Sequence, residues 1–283
     1  MPDFPIIDTH VHLTNVEEIS YSNLKKEAPS LHRNFSLDEF RDAAGPVEIE
    51  AMVFMEVCCD QEDLQKEVAW VTRQAEEENR LIGIVAGAPL EQVDFARDTL
   101  RQYKRNPMVK GIRRLLQTEP VDFCLRDDFL EGLRLLPEFD YGFDICIHHP
   151  QLANVVKMVE RCPDVRFILD HIGKPDIKEQ LFEPWKSEIR ALAALPNVVC
   201  KISGMTTEAD HESWTKEDLK PYIAHMVESF GFDRVIHGGD WFVMSLASTY
   251  PRWIEALDWA LAGSSEEDLR KFYVENAKSF YRL

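Results

Sequence analysis

Asp8-Thr9-His10-Val11-His12 closes the first apolar run of the chain. Side chains two apart on a strand share a face, so His10 and His12 point the same way. Two imidazoles on one face can hold a metal ion or polarise a carbonyl. The carboxylate that such a pair calls for stands near the other end, at Asp240 in Arg234-Val-Ile-His-Gly-Gly-Asp-Trp241. A carboxylate there is placed to act as general base toward water. A His-x-His on the first strand and an aspartate on the last form a hydrolase layout.

More polar residues fall at the ends of apolar runs: Glu56, Arg113 and Arg114, His148 and His149, Asp170 and His171, Lys201 and Ser203. Buried charge is costly unless it is paired or used, so this convergence points to a site rather than to packing. Strand alternation admits one of each adjacent pair. It favours His171 inward, with Asp170 facing the helix layer or pairing with a neighbouring base, and His149 over His148 as the residue nearer the mouth. Arg113 or Arg114 offers a fork of donors for an acyl oxygen or a forming carboxylate, and Lys201 can do similar work. Glu56 can accept from hydroxyls or ligate a metal. Tyr21 and Trp241 can line a polyol pocket. His32, His211, His225 and His237 are read as structural.

These residues need a frame. Apolar, β-rich runs recur at 5–12, 51–57, 81–88, 109–116, 142–149, 165–172, 198–205 and 234–241. Helical patterns follow at 61–79, 90–104, 127–136, 152–161, 182–194, 218–230 and 250–283. Short continuous apolar runs suit strands buried on both faces. Leu152, Val155, Val156 and Val159 mark one helix face. Eight such alternations predict a single-domain α/β fold, a (β/α)8 TIM-like barrel over residues 1–283, whose chemistry sits at the carboxyl ends of the strands. No Gly-x-Gly-x-x-Gly follows the first strand, so a dinucleotide site on a doubly wound sheet is unsupported. Residues 13–36 are the longest irregular piece and predict a lid or binding loop.

The chain has 283 residues and a net charge of −18, from 50 acidic against 32 basic side chains. Such a surface repels polyanions, which argues against nucleic acid as a partner and for a neutral substrate over an anionic one. No stretch is long and apolar enough to span a membrane. The six cysteines lack disulfide-like spacing, and the start of the chain lacks a basic leader, so reduced thiols in a cytoplasmic enzyme are expected. No cysteine has a nucleophile's setting.

Six segments carry a resemblance: Ile6-Ile-Asp-Thr-His-Val-His12, Gly111-Ile-Arg113, Cys146-Ile-His-His-Pro-Gln-Leu152, Leu169-Asp-His-Ile-Gly-Lys-Pro175, Cys200-Lys-Ile-Ser-Gly204 and Gly238-Gly-Asp-Trp-Phe-Val243. Together with the loop from Tyr21 to Arg33, they make the chain resemble the amidohydrolase superfamily of metal-dependent hydrolases, in its sugar-lactonase branch. The resemblance implies a barrel that opens L-rhamnono- or L-fucono-lactones in deoxysugar catabolism. Alternatives within the superfamily are hydrolysis of a pyrone or muconolactone-type ring and metal-dependent decarboxylation.

Carried over residue by residue, the resemblance places the family's first-strand pair at His10 and His12. Its later histidine falls at His171, its fourth-strand arginine at Arg113 and its last-strand aspartate at Asp240. It implies one divalent ion, zinc if present, held by His10, His12, His171 and Asp240, and it leaves metal-independent catalysis open. The superfamily's bridging lysine for a second ion has no clear counterpart on the fourth strand, where Arg113 and Arg114 stand. Gly239 and Phe242 depart from the usual Gly-Ser-Asp-Trp-Pro. The expected partner is a small neutral sugar lactone, and oligomerisation is left open.

Overall fold

Runs such as Met52-Val-Phe-Met55 have no polar face and must be covered on both sides. A computed structural model, which describes residues 2–283, gives them that cover. Eight strands stand in chain order in one parallel sheet: β1 (Ile6–Val11), β2 (Ile49–Met55), β3 (Leu81–Gly87), β4 (Val109–Arg113), β5 (Gly142–Ile145), β6 (Arg166–Leu169), β7 (Val198–Ile202) and β8 (Val235–His237). The last strand returns to the first. Trp241 bridges Val11 in parallel. His12 N donates to Trp241 O at 2.7 Å, and Asp240 N donates to His10 O at 2.9 Å. The Thr9 hydroxyl reaches His237 O at 2.6 Å. The fold is the expected (β/α)8 barrel in a single domain.

Helices wrap the sheet with their apolar stripes inward. The helix Leu152–Arg161 buries Leu152, Val155, Met158 and Val159, so Met158 takes the place expected of Val156. No helix among the described residues is long and apolar enough to cross a membrane.

Asp8 ties the closing seam from below. One carboxylate oxygen accepts from His10 N at 2.9 Å and Gly239 N at 2.8 Å, and the other accepts from the Tyr250 hydroxyl at 2.8 Å. A Cβ on residue 239 would stand 2.3 Å from Asp8 Oδ2 and 2.5 Å from the Tyr250 ring. Glycine at 239 is therefore what lets Tyr250 reach Asp8.

Residues 13–36 are more ordered than the sequence suggests. Thr14 and Phe35 pair as an antiparallel bridge that pinches the base of the excursion. Between them lie a helix, Ser22–Glu27, and a 3-10 turn, Pro29–Leu31. Ser20 N and the Ser22 hydroxyl are held by Asp63 and Asp60, both at 2.7 Å. Tyr21 is buried and faces Glu67, not the barrel mouth.

Glu67 is itself 1% exposed, and neither carboxyl oxygen has a hydrogen-bond partner among the described residues. Burial and the neighbouring Glu56 push its pKa from 4.5 to about 8. A carboxyl raised in the folded state favours folding while protonated, so this contribution is complete below pH 4.5 and is lost as pH rises through about 8. The expected limiting slope is about 1.4 kcal/mol per pH unit. Urea unfolding of Glu67→Gln and wild type should therefore show the variant gaining on wild type as pH rises through that window. A constant difference would mean that Glu67 does not titrate with folding.

Candidate active site

The strands stop earlier than the sequence implies: His10, Arg113 and Lys201 lie at strand ends, while His12, Glu56, Asp170, His171 and Asp240 stand just beyond them. β6 ends at Leu169, and the chain then enters left-handed backbone at His171 (φ 53°), Ile172 (φ 50°) and Lys174 (φ 47°). Cys58 (φ 54°) and Asp240 (φ 61°) do the same after β2 and β8. Such positions each cost about 1–3 kcal/mol and concentrate at functional sites. Their consequence here is that the period of two is broken where it was used to choose between neighbours. Asp170 and His171 both turn into the barrel, 0% and 3% exposed.

His10, His12, His171 and Asp240 converge. Asp240 Oδ1 lies 3.6 Å from His10 Nε2, 3.4 Å from His12 Nε2 and 3.9 Å from His171 Nε2. The other ring nitrogens are occupied. His12 Nδ1 donates to Met55 O at 2.9 Å, which leaves the Nε2 lone pair aimed at the site. His171 Nδ1 stands 2.9 Å from Ser203 Oγ. His10 Nδ1 stands 3.2 Å from Lys201 Nζ.

Electrostatics keep these groups in distinct states. Burial, with Lys201, His12 and Arg113 nearby, drives the His10 pKa well below its ordinary value. Burial does the same to His171, against the opposing pull of Asp240. Both are neutral imidazoles at neutral pH. For Asp240, burial opposes ionisation, but His171, His12 and Lys174 outweigh it and hold the carboxyl below its ordinary range. The site thus presents a carboxylate beside the neutral rings of His10 and His171.

Arg113 is 4% exposed, with Nε 2.6 Å from Glu56 Oε1 and Nη2 2.5 Å from Glu56 O. Its Nη1 reaches 3.5 Å from His10 Nε2. Arg114 points elsewhere, to Glu91 and Glu119. Lys201 is fully buried, ion-paired to Asp144 at 2.9 Å and Asp170 at 2.8 Å.

A cavity of about 170 Å³ opens over this cluster. His12, His171, Asp240, Arg113 and Lys174 line it together with Asn23, Glu27 and Gln117, and Leu24, Leu31, Phe242 and Leu246 supply apolar wall. Several expected lining residues are not on its walls. Lys201 lies beneath it, held by two aspartates. Glu56 stands behind Arg113 as its ion-pair partner. Trp241 packs edge-on against Phe35 and Phe40, because its pairing with Val11 turns it outward. Its neighbour Phe242 takes the wall, stacked on Phe35 at 3.9 Å. His149 starts a 3-10 turn past the end of β5 and is half-buried outside the cavity, where Cys146 lines it instead. Tyr21 anchors the loop.

Sequence reasoning missed Lys174, Gln117 and Cys58 on these walls. Lys174 lies within the His171 segment, and only the left-handed backbone swings it over the mouth. Its Nζ donates to Gln117 at 2.6 Å, and Glu208 lies 4.0 Å away.

Two groups of residues have the composition of a metal site: His10, His12 and Asp240, and His10, Asp170 and His171. The first is a nitrogen and oxygen set with an oriented lone pair on His12, and it fits one divalent ion of the zinc type. The second already surrounds the Lys201 ammonium, 2.8 Å from Asp170 and 3.2 Å from His10. A resident cation there opposes a second ion.

Comparison with known proteins agrees with this geometry. The Amidohydrolase family matches residues 7–283. The chain is 26% identical over 283 residues to an L-fucono-1,5-lactonase of Burkholderia ambifaria, covering 98% of this chain and 95% of the relative. It is 26% identical over 300 residues to the protein y4mH of Sinorhizobium fredii, covering both chains in full. The structure of an amidohydrolase from Burkholderia multivorans with bound zinc, 25% identical, superposes with a TM-score of 0.88 over 99% of this chain and 100% of that one. The chain belongs to the amidohydrolase family and is a hydrolytic enzyme.

Proposed function

We propose that this enzyme opens a neutral sugar lactone to its sugar acid, with L-fucono- and L-rhamnono-lactones as the first candidates and deoxysugar catabolism as the setting. One observation carries the reading: the Asp240 carboxylate and the imidazoles of His12 and His171 line one cavity, with His10 buried behind them 3.6 Å from Asp240. The lactonase name borne by the Burkholderia ambifaria relative supports it. Arg113 is neutralised by Glu56, which leaves Lys174 as the cation less fully compensated on the wall. That balance suits an uncharged ester that becomes a carboxylate better than it suits a diacid. The apolar side formed by Leu24, Leu31 and Leu246 suits the methyl group of a deoxysugar.

In this reading Asp240 takes a proton from water as the water oxygen attacks the lactone carbonyl. Charge develops on the carbonyl oxygen, and His171 with the cations Arg113 and Lys174 stabilises it from the wall. His12, whose Nε2 lone pair faces the site, and the buried His10 would serve as ligands for a divalent ion rather than as donors to that oxygen. Collapse breaks the bond from the acyl carbon to the ring oxygen, and Asp240 returns the proton to that oxygen. Lys174 and Arg113 then hold the new carboxylate. His10, His12, His171 and Asp240 would hold a divalent ion, which when bound polarises the carbonyl and the attacking water.

Asp240→Asn keeps the shape and removes the base. Its kcat should fall by about a thousandfold or more with an unchanged unfolding curve. Turnover at the wild-type level would end the proposal. Gly204 has a left-handed φ of 58°, and a Cβ there would lie 2.4 Å from His171 Nδ1 and 3.0 Å from Asp240 Oδ2. Gly204→Ala must displace both, and kcat should drop by about 100-fold with a smaller change in KM. A variant with wild-type kcat would show that the placement of His171 is not limiting. Elemental analysis of the purified enzyme should find no more than one divalent ion per chain, because Lys201 fills the neighbouring group. Two ions per chain would contradict that assignment.

A further inference from the structure

The cavity over Asp240 is small. Usual small-molecule sites measure about 300–1,000 Å³, against about 170 Å³ here. A second chamber of about 310 Å³ opens beside it. Asn23, Cys58, Arg113 and Leu115 wall both, so the two are compartments of one cleft divided at Arg113. Taken as one, the cleft reaches the usual range.

The lining of the second chamber states what it would accept. Its charges are already paired. Glu56 holds Arg113 at 2.6 Å, and Arg114 is held by Glu91 at 2.9 Å and Glu119 at 2.7 Å. A charged guest would have to break one of these pairs. Gln61 and Gln92 close the rim through a reciprocal amide pair, with bonds of 3.1 and 2.9 Å. Each amide keeps a second N–H and a second lone pair. With the Thr118 hydroxyl and the Asn23 amide, the chamber offers neutral donors and acceptors around a space open to solvent. Leu64, Ala88, Pro89 and Leu115 line the rest, so the chamber pairs hydroxyl-matching groups with apolar surface, as the edges and faces of a sugar ring require.

We infer that the second chamber is a subsite for a neutral polyhydroxylated substituent, a second sugar ring linked to the lactone. The substrate class then includes O-glycosylated aldonolactones, whose lactone ring sits at Asp240 while the glycosyl unit passes Arg113. This inference rests on the lactonase reading and adds a site to it.

The test compares kcat/KM for unsubstituted aldonolactones and their O-glucosylated counterparts in a pH-indicator assay. Thr118→Trp and Gln92→Trp, both at exposed positions, are chosen to fill the chamber without touching the barrel core. Wild type should open both kinds of lactone. Each tryptophan variant should lose about tenfold or more on the glucosylated lactones and keep its rate on the unsubstituted ones within about twofold. The subsite is overturned, with the lactonase reading intact, if wild type opens only unsubstituted lactones. It is also overturned if both variants treat the two classes alike. If no lactone of either kind is opened, the lactonase reading fails and the subsite fails with it.

Discussion

The seam between the last strand and the first is the constraint on which the site depends. Asp240 N bonds to His10 O and His12 N bonds to Trp241 O, so the carboxylate and the imidazole pair are fixed to each other through backbone bonds of 2.9 and 2.7 Å. Asp8 locks the same seam from below through Gly239 N and the Tyr250 hydroxyl. A barrel in which β8 failed to meet β1 would keep most of its core and lose the convergence. More than 200 residues of chain between the two ends serve, in this respect, to bring two short segments into register.

Beneath that seam lies a buried charge network of which only Arg113 reaches the cavity wall. Lys201 stays charged, because Asp144 and Asp170 outweigh the burial that would neutralise it. Its ammonium sets the field around His10 and fills the second cation position. Arg113 does the same from the side, with Glu56 as its counter-ion. Isolated charges at these depths would be untenable, so each is paired. The pairs hold the neutral rings of His10 and His171 beside an ionised Asp240. In physical terms, the cluster separates the group proposed to move a proton from the groups proposed to stabilise charge.

The barrel was legible because its signal is redundant. Eight apolar runs and seven helical stripes agree on one architecture, and no single residue decides it. His10, His12, Arg113, His171 and Asp240 were legible because their residue types sit at predicted strand ends. Finer placement was not legible, for one recurring reason. Alternation chose between Asp170 and His171, and between His148 and His149, on the assumption that the strand continued. In the fold β6 stops at Leu169 and β5 at Ile145. Asp170 faces inward directly after the strand, left-handed backbone at the next residue turns His171 inward as well, and His149 leaves the site. The His171 segment brings Lys174 to the mouth, and the pairing of Trp241 with Val11 turns that ring away in favour of Phe242. A left-handed residue that is not glycine leaves little trace in sequence. Tyr21 misled for another reason: its loop is pinned from within, by Asp60, Asp63 and the neighbourhood of Glu67.

The central claim is that Asp240 activates water rather than attacking the lactone itself. A single turnover with enzyme in excess, in water enriched in heavy oxygen, separates the two. General-base action predicts that the first molecule of sugar acid carries the label in its new carboxylate and that Asp240 carries none. A first product without label, with heavy oxygen found afterwards in the Asp240 side chain, would mean a covalent acyl-enzyme and would contradict the account.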